Sequence, residues 1–258
     1  MHRLLSTNLN FVDIWVVSPD DILDPVLLSL CRGVVTRDEL EHIEKFKFEK
    51  DRKNALITRF FVRSVLSLYV TINPHDIEFC YNSYGKPKIR NAFFPVHFNL
   101  SHSQEFIVLA VAFFNEIGVD VEFSESCINF KDIYKKFFSK DEVVLLDKTD
   151  DSEKLDLFMK LWTLKESYVK AVGGGLSIPL NEFSFSVNKK SRINLKTNTS
   201  WGEDPIYWSH WLFNGIPRHK LAITIRNPLS IKYNIRSFHM VPFGSVVNMD
   251  LFEECDSS

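Results

Sequence analysis

Five consecutive residues, Gly118-Val119-Asp120-Val121-Glu122, set two carboxylates two positions apart. In a β-strand side chains alternate, so Asp120 and Glu122 share one face while Val119 and Val121 share the other. Same-face neighbours stand roughly 7 Å apart, near enough to converge on one hard cation. Taken alone, the pattern is commoner as a half-exposed strand with a solvated acidic face. A third carboxylate sharpens the reading. Leu155, Phe158, Trp162, Val169 and Val172 recur at helical spacing, and Glu166 falls on that apolar stripe, four after Trp162 and three before Val169. An unpaired buried carboxylate is costly, and a cation or a paired base removes the cost. Lys170 follows Glu166 at i+4; as a surface pair the two would contribute only ~0.3–0.5 kcal/mol.

Basic and polar residues stand ahead of the carboxylates. Lys86 sits in the turn Tyr84-Gly85-Lys86-Pro87, and Ser101-His102-Ser103 closes an apolar run. A turn lysine is usually solvated and a lone histidine usually structural. Together with Lys45, Lys50, Arg52 and Lys53 they could grip several phosphates.

The elements that must position these groups can be read in outline. Phe11 to Val17 reads as a first strand, and Arg37 to about Val70 as helical, ended by Pro74. Ile77 to Tyr81 and Val96 to Leu100 read as short strands. Phe106 to Phe114 and Ile117 to Phe123 flank Asn115-Glu116 and suggest a hairpin, although that pair lacks the usual glycine. Phe130 to Leu146 and Glu153 to Val172 read as two helices, the second stopped by Gly173-Gly174-Gly175. Strands are expected between Phe183 and Ile225, and Pro242 to Ser258 reads as a peripheral tail with an acidic end. An internal echo runs through the chain. Pro74 before a strand matches Pro179 before a strand, and Leu109-Ala110-Val111-Ala112 matches Leu221-Ala222-Ile223-Thr224, at offsets of 105 and 112 residues. Both fit a tandem duplication of one α+β unit.

Composition narrows the classes. At 258 residues the chain suits two compact halves, and 45% hydrophobic with 25% charged residues supports an ordered core. A net charge of −2 advertises no nucleic-acid partner, so an anionic ligand must be held by local basic residues. Cys31, Cys80, Cys127 and Cys255 are widely spaced with no C-x-x-C pair, as expected of free thiols in a reducing cytoplasm. Met1 to Pro19 lacks the apolar stretch of a signal peptide. No run approaches the ~18–20 apolar residues of a membrane helix, so no membrane partner is expected.

On these residues the chain resembles the surfactin-type 4′-phosphopantetheinyl transferases. The resemblance rests on Phe-Asn-Leu-Ser-His-Ser (98–103), Ile-Gly-Val-Asp-Val-Glu (117–122), Lys-Phe-Phe-Ser (136–139) and Leu-Trp-Thr-Leu-Lys-Glu-Ser-Tyr-Val-Lys-Ala (161–171), with Tyr-Gly-Lys-Pro (84–87) ahead of them. Order and spacing hold from about residue 40 to residue 190.

The resemblance implies an α+β fold of two similar halves related by a pseudo-twofold axis, with the active site between them, in a monomer. The boundaries would be 1–115, 116–240 and a tail 241–258. It implies Mg2+ held by Asp120, Glu122 and Glu166, catalytic roles for Lys165, Glu166 and Lys170, and coenzyme A contacts at Lys86, Asn99, Ser101 and His102. A position usually Lys or Arg in the family falls on His42, a departure, since histidine is only fractionally charged at neutral pH. The implied reaction moves 4′-phosphopantetheine from coenzyme A to a serine of an apo acyl or peptidyl carrier protein, as a holo-acyl-carrier-protein synthase does, and releases adenosine 3′,5′-bisphosphate. Fatty-acid, polyketide and nonribosomal-peptide carriers are all open. Tyr134-Lys135-Lys136-Phe137-Phe138 suits carrier docking and an ordinary amphipathic helix equally. Two rivals stand beside this reading. One is a binding module that grips coenzyme A or a carrier without transfer, against which the intact acidic set and Lys170 argue. The other is a phosphotransferase acting on a small nucleotide, against which the absence of a G-x-x-x-x-G-K-[ST] loop argues.

Overall fold

The computed structural model describes residues 9–125, 129–188, 191–197, 204–241 and 246–257; Cys127, residues 1–8 and residues 242–245 of the tail lie outside them. Strand β1 (Phe11–Val17) is buried at all seven positions, as a strand covered on both faces must be. Helix α1 (Pro25–Val34) starts on Asp24, whose carboxylate accepts from Val26 N at 2.8 Å. The basic stretch that follows divides into α2 (Arg37–Ile43) and α3 (Glu49–Leu66). Strands β2 (Phe79–Tyr81) and β3 (Pro87–Ile89) form a small hairpin. Its turn uses Gly85 at φ 87°, a conformation that glycine adopts without strain.

Next come β4 (Val96–Ser103), β5 (Phe106–Phe113) and β6 (Ile117–Phe123). The hairpin expected at Asn115-Glu116 is not formed. Both edges of β5 are taken, by β4 and by β1, so the chain leaves the sheet at Phe114, whose φ is 64°. The hairpin is β4–β5 instead, turning at Gln104 with φ 50°. The single helix expected from Phe130 is two, α4 (Phe130–Phe137) and α5 (Lys140–Lys148). Ser139 separates them. Its hydroxyl accepts from Glu142 N at 3.3 Å, and the Glu142 carboxylate accepts from Ser139 N at 3.0 Å. Helix α6 (Asp151–Val172) ends on Gly173 at φ 76°.

The remaining strands are β7 (Phe183–Val187), β8 (Ile193–Thr197), β9 (Trp208–Asn214), β10 (His219–Arg226), β11 (Asn234–Met240), β12 (Val246–Asn248) and β13 (Phe252–Asp256). Two sheets carry the fold, in the orders β12-β11-β1-β5-β4 and β13-β9-β10-β6. They stack face to face through Val12, Ile14, Val108, Ala110, Val119, Val121, Leu221 and Ile223. Helix α3 covers the outer face of the first sheet with Ile57, Phe61 and Val65 against Trp15 and Leu109. Helix α6 covers the second with Leu164 and Tyr168 against Leu212 and Ala222. The result is a mixed α+β molecule layered helix, sheet, sheet, helix.

The segment expected as a peripheral tail, 241–258, contributes β12, paired with β11, and β13, paired with β9. Strand β11 lies parallel to β1 with Asp13 opposite Arg236, and the guanidinium donates to both Asp13 oxygens at 2.6 and 2.7 Å. Tyr69 Oη also donates to Asp13. Strands β11 and β12 therefore belong to the sheet built mainly from the first half, while β13 borders the second sheet against β9. Cys31, Cys80 and Cys255 are free thiols.

Candidate active site

The site is built where α6 lies on β6, and Gly118 permits the contact. A Cβ there would stand 2.0 Å from Ser167 O and 2.4 Å from Ala171 N. Only a residue without a side chain lets the helix backbone settle so closely on the strand. Asp120 and Glu122 lie on the same face as Gly118, two and four residues on, so they are turned toward α6.

Asp120 is 3% exposed. Its Oδ1 accepts from Lys170 Nζ at 2.7 Å and from Ser101 Oγ at 3.0 Å, and the same amine reaches Ser101 Oγ at 2.9 Å. Its Oδ2 is buried without a partner. Glu122 accepts from Trp162 Nε1 at 3.2 Å. Burial pushes the Glu122 carboxyl up to about 7, with the charges of Asp120 and Glu166 adding to the rise. Burial and then the Asp120 charge also raise Glu166, against the pull of Lys170. Burial raises Asp120 too, with Lys170 and Ser101 opposing. Three neighbouring carboxylates therefore share one ammonium group and are short of positive charge.

A cavity of about 650 Å³ opens over Glu166 and Lys170, walled by Tyr84, Gly85, Lys136, Phe137 and Ile178 among others. Among the described residues, no three acidic, histidine or cysteine side chains are already gathered as a metal shell. The donor set nonetheless fits a hard cation that keeps part of its coordination for water and substrate. It is all oxygen, it is under-compensated, and one buried carboxylate oxygen has no partner.

The residues singled out from sequence separate into three groups. Asp120, Glu122, Glu166, Lys170 and Ser101 come together as described. His102 does not join them, because it follows Ser101 on a strand and so faces the other way. It lines a second cavity of about 730 Å³ with His42, Arg59, Asp38 and Asp51. Glu39 also lines that cavity, but its carboxylate is tied to Arg63 Nε at 2.7 Å.

Lys165 and Lys86 form the third group, with their amines engaged by partners outside the acidic set. Lys165 is fully buried and faces away from the carboxylates. Its amine donates to Glu142 Oε2 at 2.7 Å and to Phe183 O at 2.6 Å. Burial pulls its ammonium down to about 8 despite Glu142. Lys86 Nζ donates to Glu116 Oε2, Ile117 O and Ala171 O at 2.8, 3.1 and 2.8 Å. Lys86 also lines the first cavity with Glu166 and Lys170. Lys86 pins its turn to the C-terminal end of α6, where the helix dipole favours a cation. Asn82 Nδ2 donates to Gly173 O at 2.9 Å and pins the same turn. Asn99 lines the first cavity while its Oδ1 accepts from Val119 N at 2.9 Å.

Sequence reasoning missed several participants. Trp162 belongs to the apolar stripe by sequence, yet its indole N–H holds Glu122. Arg59 lies one turn before Arg63 on α3 and only the fold turns it to the histidines. Glu142 carried a readable signal, the Ser139-x-x-Glu142 capping pattern.

Comparison with known proteins identifies the family. Residues 116–225 match the model of the 4'-phosphopantetheinyl transferase superfamily, and residues 26–113 match that of the 4'-phosphopantetheinyl transferase N-terminal region. The chain is 31% identical over 200 residues to the 4'-phosphopantetheinyl transferase HetI of Nostoc sp., covering 77% of this chain and 82% of the relative. It is 32% identical over 195 residues to the 4'-phosphopantetheinyl transferase Sfp of Bacillus subtilis, covering 75% and 83%. The mouse L-aminoadipate-semialdehyde dehydrogenase-phosphopantetheinyl transferase is 29% identical over 209 residues, covering 74% and 67%. With residues 26–113 and 116–225 matched and relatives above 30% identity covered over most of their length, the chain belongs to the 4'-phosphopantetheinyl transferase superfamily, among the relatives of the surfactin type.

Proposed function

We propose that this chain transfers the 4′-phosphopantetheinyl group of coenzyme A to a serine hydroxyl of an apo acyl or peptidyl carrier protein, with magnesium at Asp120, Glu122 and Glu166. The observation that carries the reading is the charge-starved set of three carboxylates, with Asp120 Oδ2 buried and unpartnered. When bound, magnesium supplies positive charge to the phosphoanhydride oxygens.

The protein's own groups do the rest. The serine oxygen bonds to the β-phosphorus, the phosphoanhydride P–O bond breaks, and the electron pair leaves on the 5′-phosphate of adenosine 3′,5′-bisphosphate. Glu166, which lines the cavity beside Lys170, takes the serine proton. Lys170, at the cavity wall beside Asp120, stabilises phosphoryl oxygens. Arg59, His42 and His102 would hold the 3′-phosphate end of coenzyme A in the second cavity.

The carrier would reach the first cavity past α4. Tyr134 and Phe138 of the basic aromatic segment are core, 1% and 4% exposed. Phe137 is 42% exposed, and Lys136 packs its amine over the Phe137 ring at 5.2 Å. An acidic carrier surface fits that patch. The two sheet-and-helix units, each with its long helix outside, also support reading the halves as a pseudo-twofold pair. Among the described residues no helix is long and apolar enough to cross a membrane.

Mass spectrometry tests the reading. Coenzyme A, magnesium and a suitable apo-carrier should add about 340 Da to one serine, the mass of the group the cofactor carries. No mass gain across fatty-acid, polyketide and nonribosomal-peptide carriers would overturn it.

A further inference from the structure

The edge strands of the two stacked sheets, β4 and β6, lie against each other, and the contact has a regular pattern. Antiparallel strands send alternate backbone N–H groups to opposite sides. In β6 the even-numbered residues face β10, as Ser124 N donating to Arg218 O continues. The odd-numbered amides of Val119, Val121 and Phe123 thus point out of the sheet edge toward β4. Each finds a side chain there. Val119 N donates to Asn99 Oδ1 at 2.9 Å, Val121 N to Ser101 Oγ at 3.3 Å, and Phe123 N to Ser103 Oγ at 3.0 Å. Three alternate polar residues of one strand meet three alternate amides of another, each pair separated by 20 positions.

An unpaired buried edge amide is costly, and an edge strand without partners is free to shift. The residues between the three held amides are Asp120 and Glu122. We propose that Asn99, Ser101 and Ser103 act as positioning residues that fix Asp120 and Glu122 through the backbone of β6, with Ser103 the outermost member. Ser103 lines neither cavity. It acts at Phe123, one residue beyond Glu122, so any effect on the reaction must pass through the strand. The proposal rests on the reading of Asp120 and Glu122 as magnesium ligands, but its first test does not.

That test is amide hydrogen exchange in the intact protein, comparing wild type with Ser103→Ala, Ser103→Cys and Ser103→Thr. Losing this half-buried acceptor should speed exchange of the Phe123 amide by about tenfold in Ser103→Ala. Ser103→Cys, a weaker acceptor, should fall between, and Ser103→Thr should restore protection. The second arm titrates magnesium alone against thermal stability and measures transfer. Ser103→Ala should raise the magnesium midpoint and lower kcat several-fold, with KM for coenzyme A unchanged and Ser103→Thr rescuing both. Unchanged exchange at Phe123 in the alanine and cysteine variants would overturn the proposal. So would faster exchange with an unchanged magnesium midpoint, or a rise in KM for coenzyme A with kcat intact. Should Ser103→Ala not fold, the graded order of serine, threonine and cysteine carries the same test. A wild-type protein that never responds to magnesium would refute the metal assignment, leaving the exchange result to decide the ladder itself.

Discussion

Lys165 and Glu166 are neighbours on α6 that serve different sides of the helix: the Lys165 amine is sealed against Glu142 at 2.7 Å, and Glu166 lines the cavity beside Lys170. Their substitutions should therefore fail in different ways. Lys165→Met strands the buried Glu142 carboxylate, which also accepts from Ser139 N and Phe185 N. We expect a stability loss of roughly 3–5 kcal/mol in denaturant unfolding, with kcat of the folded fraction largely kept. Glu166→Gln should hold or gain stability without metal, while transfer falls by ~10²–10⁴-fold. A stable, inactive Lys165→Met, or an active Glu166→Gln, would reverse the two roles.

Gly118 admits no side chain. With Ser167 O only 2.0 Å from where its Cβ would stand, and backbone atoms of Ala171 next nearest, no rotamer change relieves the clash. Gly118→Ala should cost at least ~1–3 kcal/mol by forcing α6 off β6, and should weaken the magnesium response with it. Calorimetry with and without magnesium checks both. A variant within ~0.5 kcal/mol of wild type would mean that helix and strand are not held as described.

The acidic site makes the metal-free protein sensitive to pH. Burial, then the Asp120 charge, raises the Glu122 carboxyl to about 7 from an ordinary 4.5. The unfolded chain therefore releases this proton first as pH rises, so stability is lost between about 4.5 and 7. Melting curves should show wild type falling relative to Glu122→Gln across that window, and magnesium should remove the difference at its upper end. Parallel curves for the two proteins would exclude the effect.

His210 gives the opposite slope. It is fully buried on β9, its Nδ1 2.9 Å from Thr224 Oγ1, and burial pulls its pKa down to about 3 from 6.5. The unfolded chain takes up a proton below about 6.5 and the folded protein does not, so stability falls as pH drops toward 3. His210→Gln should flatten this acid limb in denaturant titrations between pH 7 and 4.5, and an unchanged slope would assign the acid sensitivity elsewhere.

The chemistry of this chain was legible in its sequence because it depends on local periods. Alternation along residues 118–122 put Asp120 and Glu122 on one face, and the fold keeps this; the 3.6-residue period grouped Glu166 with an apolar stripe, but the buried face of α6 runs through Leu161, Leu164, Lys165 and Tyr168, and Glu166 lies half-buried at the cavity. Strand β1 and the glycine stop of α6 were likewise local signals. What the sequence could not decide was pairing across distance. Asn115-Glu116 looks like a hairpin until β1 and β4 occupy both edges of β5. The segment after residue 241 looks peripheral until β12 pairs with β11 and β13 with β9. Ser101 and His102 look like one clamp, but strand alternation turns Ser101 to Asp120 and Lys170 and His102 into the second cavity, and Lys86 looks like a free cation until the end of α6 supplies it with a carbonyl. A side chain's type sets which bonds it can make. Which bonds it does make depends on the partners that reach it, and here those partners arrive from other elements only when the two sheets close on each other.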